Sequence, residues 1–449
     1  MALPLPAPGG NAFSAGGGAA PQLPPLGMVA PFLLAAPIAL VIGAAMVFGL
    51  TDTMFIAVNL PRVVAITHAI VLGAVTMMMM GATYQLGPVV LGGQLLSIRL
   101  ARVQFVVHIL GLSLFIWALS RWDVSWMSIA GSTLLVSFIL YITNIASALS
   151  RAGSPSPVRR YLLASIGFLG LAGAFGLTWV GALEHSWFPV TLGRLAAHAH
   201  IGLVGWLALT LMGVSYQLVP MFGIAHHVDP RFRQAALWVT AAATVTFATG
   251  MLFDPPAPLR LTLAAFLAAG PLLWSLDMWR FVLGRSRRRL DIQGRATAIS
   301  LAFLTLTVVL GLGAAIGTPF TPDNEMARWP LAYAVAGVLG WAGTAALGNG
   351  IKIHAFLVWM HRYQRKVGSA PVPMIADLYD ARIAHLTLAL HTIASSTLVL
   401  GCVIGNLQLV HVGAAILIVA TSLYLLTLLS MYRPMHIHPR SAPVRTVAG

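Results

Sequence analysis

The chain has 449 residues, 58% of them hydrophobic and only 8% charged, with a formal charge of +15, against roughly 45–50% apolar and about 25% charged in a soluble domain. That composition excludes a water-soluble enzyme. It also turns the basic excess away from nucleic acid, the partner it would suggest in a soluble chain, toward loops facing lipid headgroups.

Cys402 is the single cysteine, so an internal disulfide, a cysteine zinc cluster and an iron–sulfur centre are excluded, and any metal falls mainly to the 14 histidines.

Residues 1–27 are rich in Pro, Gly and Ala without a charged side chain, and read as a disordered cytoplasmic tail. No basic segment precedes the first apolar run, so no cleaved secretory signal is expected. Twelve apolar runs follow, each long enough to cross about 30 Å of hydrocarbon as a helix. They predict α1 at Met28 to Leu50, α2 at Val63 to Val89, α3 at Val103 to Leu119, α4 at Trp126 to Leu149, α5 at Tyr161 to Leu183 and α6 at Leu195 to Phe222. The second six are α7 at Ala235 to Phe253, α8 at Leu259 to Leu283, α9 at Ala296 to Ile316, α10 at Leu331 to Met360, α11 at Ile383 to Ile404 and α12 at Leu407 to Met431. The membrane domain is thus expected over 28–431, with a short cytoplasmic tail over 432–449.

Basic residues set the orientation. The loops after the odd-numbered helices carry only Arg62, Arg121, Arg194, Arg260 and Arg328, whereas the other side holds the rest apart from Lys352. That bias puts both termini in the cytoplasm of a bacterial cell, with the chain as a multi-pass protein of its inner membrane.

Sliding the sequence against itself until Arg62 falls on Arg194 also aligns His68, Gly73, Met80, Gly81, Tyr84 and Gln85 with His200, Gly205, Met212, Gly213, Tyr216 and Gln217. A fainter third copy lies further along the chain, where Gly340-Trp341 matches Gly205-Trp206 and Lys352 replaces the glutamine. Marked helices four apart imply an all-α fold of three four-helix arcs around a pseudo-threefold axis.

An imidazole inside a membrane helix is costly unless partnered, which makes His68, His198 and His200 candidate metal ligands at one depth near the outer face. His198 and His200 are two apart, about 200° around a helix, so they face opposite ways and suit a helix standing between two cofactors. His200, the repeat counterpart of His68, is expected to share one bis-histidine haem with it, leaving His198 for a second metal. His411 enters α12 at a similar depth as a further candidate. Arg62 and Arg194 sit six residues before their histidines, where each suits either a haem propionate or a lipid headgroup. Met77 to Met80 point all round their helix and read as core packing. His108, His226, His227, His354, His361, His385, His436 and His438 fall toward the cytoplasmic side and read as interfacial. Asp277 has Arg280 three residues on as an ion-pair partner, and Lys352 reads as a snorkelling side chain.

Twelve helices, three arcs, and a helix-2 histidine followed by Gly81-Ala82-Thr83-Tyr84-Gln85-Leu86-Gly87-Pro88 resemble subunit I of the haem–copper oxidase and nitric oxide reductase superfamily. The resemblance implies that His68 ligates a low-spin haem and associates His198 and His200 with copper or a second haem. It also implies an oxidoreductase of respiratory or nitrogen-oxide chemistry, with an electron donor or partner subunit that the sequence does not name. The chain departs from the family pattern: α7 has no histidine, and the α10 positions equivalent to His198 and His200 are Tyr333 and Val335. It is therefore more similar to the haem- and copper-containing membrane proteins linked to nitric oxide stress, and no oxygen reduction by this chain alone is expected. A transporter on the same scaffold without a redox cofactor is the alternative.

Overall fold

The computed structural model describes residues 23–152, 156–223, 230–285, 289–317 and 325–433. Within them every regular element is helical. Eleven of the described helices are long and apolar enough to cross a membrane: α1 Leu26–Gly49, α2 Pro61–Pro88, α3 Ile98–Arg121, α4 Val124–Ser150, α5 Pro157–His185, α6 Leu192–Met221, α8 Ala257–Leu283, α9 Ile292–Ile316, α10 Arg328–Arg362, α11 Ala381–Ile404 and α12 Leu407–Ser430. The remaining predicted span, α7, forms the 22-residue helix Pro230–Met251, whose first turn carries Arg231 and Arg233. It is shorter than its neighbours α6 and α8 and less apolar. The tails expected over 1–27 and 432–449 lie almost wholly outside the described residues, as do His226, His227, His436 and His438.

Most helix starts fall earlier than the apolar runs predict, and in α3, α4, α6, α9 and α11 the added first turn is held by a polar cap that hydropathy does not register. Ser97 accepts the Leu100 N–H and starts α3 ahead of Arg99 and Arg102. Asp123, Thr191, Asp291, Asp380 and Asn406 cap α4, α6, α9, α11 and α12 in the same way.

α2, α6 and α10 are the inner helices: 67%, 61% and 67% of their most apolar stretch is buried, against 50% or less for every other span. Each packs on the helix before it and the two after it, so α2 lies against α1, α3 and α4, α6 against α5, α7 and α8, and α10 against α9, α11 and α12. Each inner helix also loosens into an eight-residue π stretch, at Ala69–Thr76, Ile201–Ala208 and Ala336–Gly343. These stretches keep the spacing of the sequence repeat, and the one in α10 touches the other two.

The inner helices approach their neighbours at glycines. A Cβ on Gly73 would lie 2.7 Å from the Ala39 methyl of α1, and one on Gly205 or Gly340 would overlap the ring of Phe168 in α5 or Phe303 in α9. Two ion pairs involve charges within the spans. Asp277 and Arg280, both on α8, lie 3.7 Å apart, as the spacing predicts. Lys352 differs from its reading as a snorkelling side chain: its Nζ lies 2.9 Å from Asp291 Oδ2, the residue that also caps α9. An oppositely charged cap within reach makes the ion pair more favourable than stretching to the interface.

Because a Cβ on Gly205 would overlap the base of the Phe168 ring, Gly205→Ala should cost about 1–3 kcal/mol through overpacking. Gly167→Ala, where an added Cβ meets nothing within 4 Å, should leave stability unchanged. Thermal unfolding of both variants in detergent checks this, and equal midpoints would remove the close-approach explanation.

Candidate functional site

His68 and His200 each close an α-helical segment immediately before the π stretch. In both, Nδ1 lies 2.8 Å from the carbonyl four residues back, Val64 for His68 and Ala196 for His200. An Nδ1–H donated to a carbonyl fixes the neutral tautomer and leaves the lone pair on Nε2, the form that binds metals. A π stretch directly after the residue alters the helix phase there, a distortion that recurs at functional sites.

Beyond this shared anchoring the two rings part. His68 faces His198 across the α2–α6 boundary, with ring centroids 6.4 Å apart and planes 18° from parallel. Both line an apolar cavity of about 150 Å³ enclosed by α2 to α6, with Phe115, Phe138, Leu169 and Trp206 among its walls. His198 Nδ1 is buried without a hydrogen bond, while the Ala172 carbonyl of α5 interacts with the ring. The bond to Val64 engages only Nδ1 of His68 and leaves its Nε2 open. Two supports hold the rings. Phe115 meets His68 edge-on at 5.3 Å, and Gly176 of α5 leaves space where a Cβ would sit 3.1 Å from His198 Cε1.

Two metal–imidazole bonds of about 2.0 Å each, with roughly 1 Å more from each nitrogen to its ring centre, separate the centroids of trans imidazoles by about 6 Å. The observed 6.4 Å matches that separation. The two imidazoles fit a bis-histidine haem in donor type and separation and the walls between them are apolar, but the cavity of about 150 Å³ is smaller than the macrocycle, so its walls would have to part to admit one.

His200 points to the opposite side of α6. Its Nε2 lies 3.0 Å from the Tyr333 hydroxyl of α10, and its ring lies 4.4 Å from that of Phe247. Both His200 and Tyr333 line a second cavity, of about 690 Å³, enclosed by α6 to α10. The expected pairing of His68 with His200 is therefore corrected: the ring opposite His68 is His198, and His200 belongs to the second cavity.

The other expected residues lie elsewhere. Arg62 donates to the Gly49 carbonyl, and Arg194 donates to the carbonyls of Pro189 and Leu252 and lies over Phe188. Both tie loops together, and neither lines the cavity between the histidines. His411 packs on Phe48 of α1 and lines neither cavity. Met77 to Met80 are buried in the core, as expected. No group of three or more His, Cys, Asp or Glu that could hold a metal ion occurs among the described residues.

The sequence reading misplaced two histidines, for His354 of α10 is fully buried rather than interfacial, and so is His108 of α3. His108 has Nδ1 3.1 Å from Ser137 Oγ and Nε2 3.3 Å from the Leu72 carbonyl. Gln104 donates to the same serine at 3.0 Å, so a hydrogen-bonded cluster lies directly behind Leu72 and Phe138 of the cavity wall. The signal was present in the spacing: Ala101, Gln104, His108, Leu112 and Phe115 form one helical stripe, and all are buried.

No protein-family model matches the chain, and no curated protein matches it.

At the cavity floor Trp206 Nε1 donates to Thr76 Oγ1 at 3.2 Å, joining α6 to α2. Thr76→Val should strand that indole N–H in a buried site and cost about 1–3 kcal/mol. In a double-mutant cycle with Trp206→Phe the two effects should couple, and strict additivity in unfolding experiments would show that this bond contributes nothing.

Proposed function

We propose that the chain is a membrane haem protein, in which His68 of α2 and His198 of α6 would hold one haem between them. The observation that carries this reading is the pair of near-parallel imidazoles, 6.4 Å apart, lining one apolar cavity. When bound, such a haem supplies one-electron redox chemistry tuned by its axial ligands and its burial. The chain's own residues hold and shield it: Val64 orients the His68 ring, Phe115 and Gly176 position the two imidazoles, and the aliphatic and aromatic walls exclude water.

The scaffold of this proposal is the twelve-helix, three-arc design of haem–copper oxidase and nitric oxide reductase subunit I, placed in a bacterial inner membrane with both termini cytoplasmic. Three features favour it: the buried trio α2, α6 and α10, their neighbours repeating four helices on, and the evenly recurring π stretches. α7 is then the twelfth span, packed between α6 and α8. The activity proposed is electron transfer in respiratory or nitrogen-oxide chemistry. Copper is left out of the proposal, because among the described residues no three His, Cys, Asp or Glu come together to hold it. A transporter without a cofactor would leave the facing imidazoles unexplained.

The test is the visible spectrum of the purified protein in detergent. A six-coordinate low-spin haem signal is expected, lost or converted in both His68→Ala and His198→Ala and retained in His200→Ala, with helical circular dichroism unchanged in all three. Absence of a Soret band after expression with ample haem would sink the reading, and so would identical spectra for wild type and the first two variants.

A further inference from the structure

We propose that His108 of α3 is a positioning residue for the site between α2 and α6: its imidazole holds the Leu72 carbonyl in the π stretch of α2 and so fixes the angle at which α2 presents His68 to His198. The inference rests on the haem reading and adds to it the residue that sets the direction of one imidazole.

The contact is built twice in the molecule. His391 of α11 has its Nε2 3.0 Å from the Leu339 carbonyl, as His108 has its Nε2 3.3 Å from that of Leu72. Leu72 and Leu339 are each the fourth residue of an eight-residue π stretch. In the registers that place Arg62 on Arg194 and Trp206 on Trp341, both fall on Val204, the fourth residue of the remaining stretch. The two histidines also hold one place in their own helices: α3 and α11 are both 24 residues long, and His108 and His391 each come ten residues after the first, Ile98 and Ala381. That place is kept although the loop from α10 to α11 is longer than the loop from α2 to α3. In α7 the residue ten after Pro230 is Thr240, whose hydroxyl donates to Ala236 of its own helix at 2.6 Å.

Proton positions along the contacts of His108 follow by elimination. The Leu72 carbonyl can only accept, so the imidazole carries its proton on Nε2 and leaves a lone pair on Nδ1. Ser137 Oγ, 3.1 Å from Nδ1, donates to that lone pair and accepts in turn from Gln104 Nε2 at 3.0 Å. Tyr84, one of the residues marked by the sequence repeat, donates to the other end of the amide, Gln104 Oε1, at 3.5 Å. Bonds aligned in one direction polarise one another, so the row aims a single N–H at a single carbonyl. An amide gives up no proton, and at Gln104 the row therefore orients rather than conducts.

The target of that N–H is the part of α2 on which the direction of His68 depends. π turns are rare and mostly single, so a stretch of eight residues needs support from outside the helix, and in hydrocarbon no water supplies it. Leu72 comes one turn after His68, and both line the cavity of about 150 Å³. A π turn takes more residues than the 3.6 of an α turn, so relaxation of the stretch to α geometry would turn His68 about the helix axis relative to the half of α2 beyond it. That half is seated at Gly81, where a Cβ would meet the Leu33 side chain of α1 at 2.8 Å. His108 also backs the cavity through Phe138, whose ring centre lies 5.9 Å from its own. It does not itself line the cavity, and neither does His391, so His108 acts on the site through α2, and His391 makes the same bond in a helix that the site does not use.

The experiment is electron paramagnetic resonance of the oxidised full-length protein in lipid nanodiscs, where a low-spin haem signal reports the mutual angle of two axial imidazoles. It is paired with hydrogen–deuterium exchange of the amides of residues 69–76, which needs no haem. His108→Leu should shift the low-spin signal or convert part of it to high spin, and should quicken exchange in the stretch about tenfold, the equivalent of one hydrogen bond. His108→Gln, whose amide reaches the same carbonyl, should restore both, and His391→Leu should leave the haem signal as in wild type. A haem signal unchanged in His108→Leu, or changed as much by His391→Leu, overturns the proposal, as does unchanged exchange in 69–76. If His108→Leu does not fold, Ser137→Ala, which keeps the ring and releases its tautomer, should move both readouts in the same direction, and no movement in either overturns the proposal. A wild type that binds no haem removes the haem reading, and the exchange of 69–76 then decides by itself whether His108 holds the stretch.

Discussion

At Gly205 the backbone of α6 lies directly on the Phe168 ring of α5, and at Gly340 that of α10 lies on Phe303 of α9. This contact governs the interior. A helix surrounded by other helices gains no hydrophobic driving force over lipid, so association rests on close packing, and close packing requires the absence of a side chain where two elements meet. With α2, α6 and α10 drawn in this way onto α1, α5 and α9, their opposite faces are left to meet one another and to border the cavities. The π stretches that contain these glycines lie just beyond His68 and His200, so packing and ligand presentation are set by the same few turns.

Repeats that follow one another around an axis meet head to tail, and in such an interface a position on one copy touches a different position on the next. This is why the repeat counterpart of His68 is not its partner. His68 and His200 hold the same place in the sequence repeat, and each turns toward the next inner helix: His68 toward α6 and His200 toward α10. The residue each meets comes from a different repeat position, His198 in one case and Tyr333 in the other. In the same registers the remaining positions are Val335 and Ile66, aliphatic residues that cannot ligate a metal. The repeat thus carries an imidazole pair at one boundary and an imidazole–phenol pair at another.

Much of this was legible in the sequence, and what was not has identifiable causes. Apolar runs located the helices because lipid leaves the backbone few other solutions, and their starts were missed by the length of a capped first turn, as at Ser97 and α3. The repeat marked the right three helices, and the spacing of His198 and His200 placed them on opposite sides of α6. Which neighbour each would face depends on the direction in which the helices succeed one another, which no spacing within a single helix records. Arg62 and Arg194 illustrate a second kind of miss. Their position beside the histidines suggested an anion, yet each guanidinium is held by loop carbonyls, partners that come from backbone geometry rather than residue type. Asp291 was invisible as the partner of Lys352, since the two are remote in the chain and only the packing of α9 on α10 joins them.

α6 is the wall common to both cavities, and each cavity takes one of its two histidines. Residues two apart on a helix are separated by only about 3 Å along its axis, so the two cavities are divided by little more than the width of one helix. A helix of this kind couples its two sides through structure as well as distance. Any rotation that improved the approach of His198 to His68 would move His200 relative to Tyr333, because both are fixed to the same turn and both neighbours are packed against glycine. The Nδ1 bond from His200 to Ala196 and the lodging of His198 against Gly176 oppose such rotation from the two sides of the helix. The rigidity that holds an imidazole ready for iron is therefore the same rigidity that keeps the tyrosine dyad in place, and neither site can be reshaped without a cost at the other.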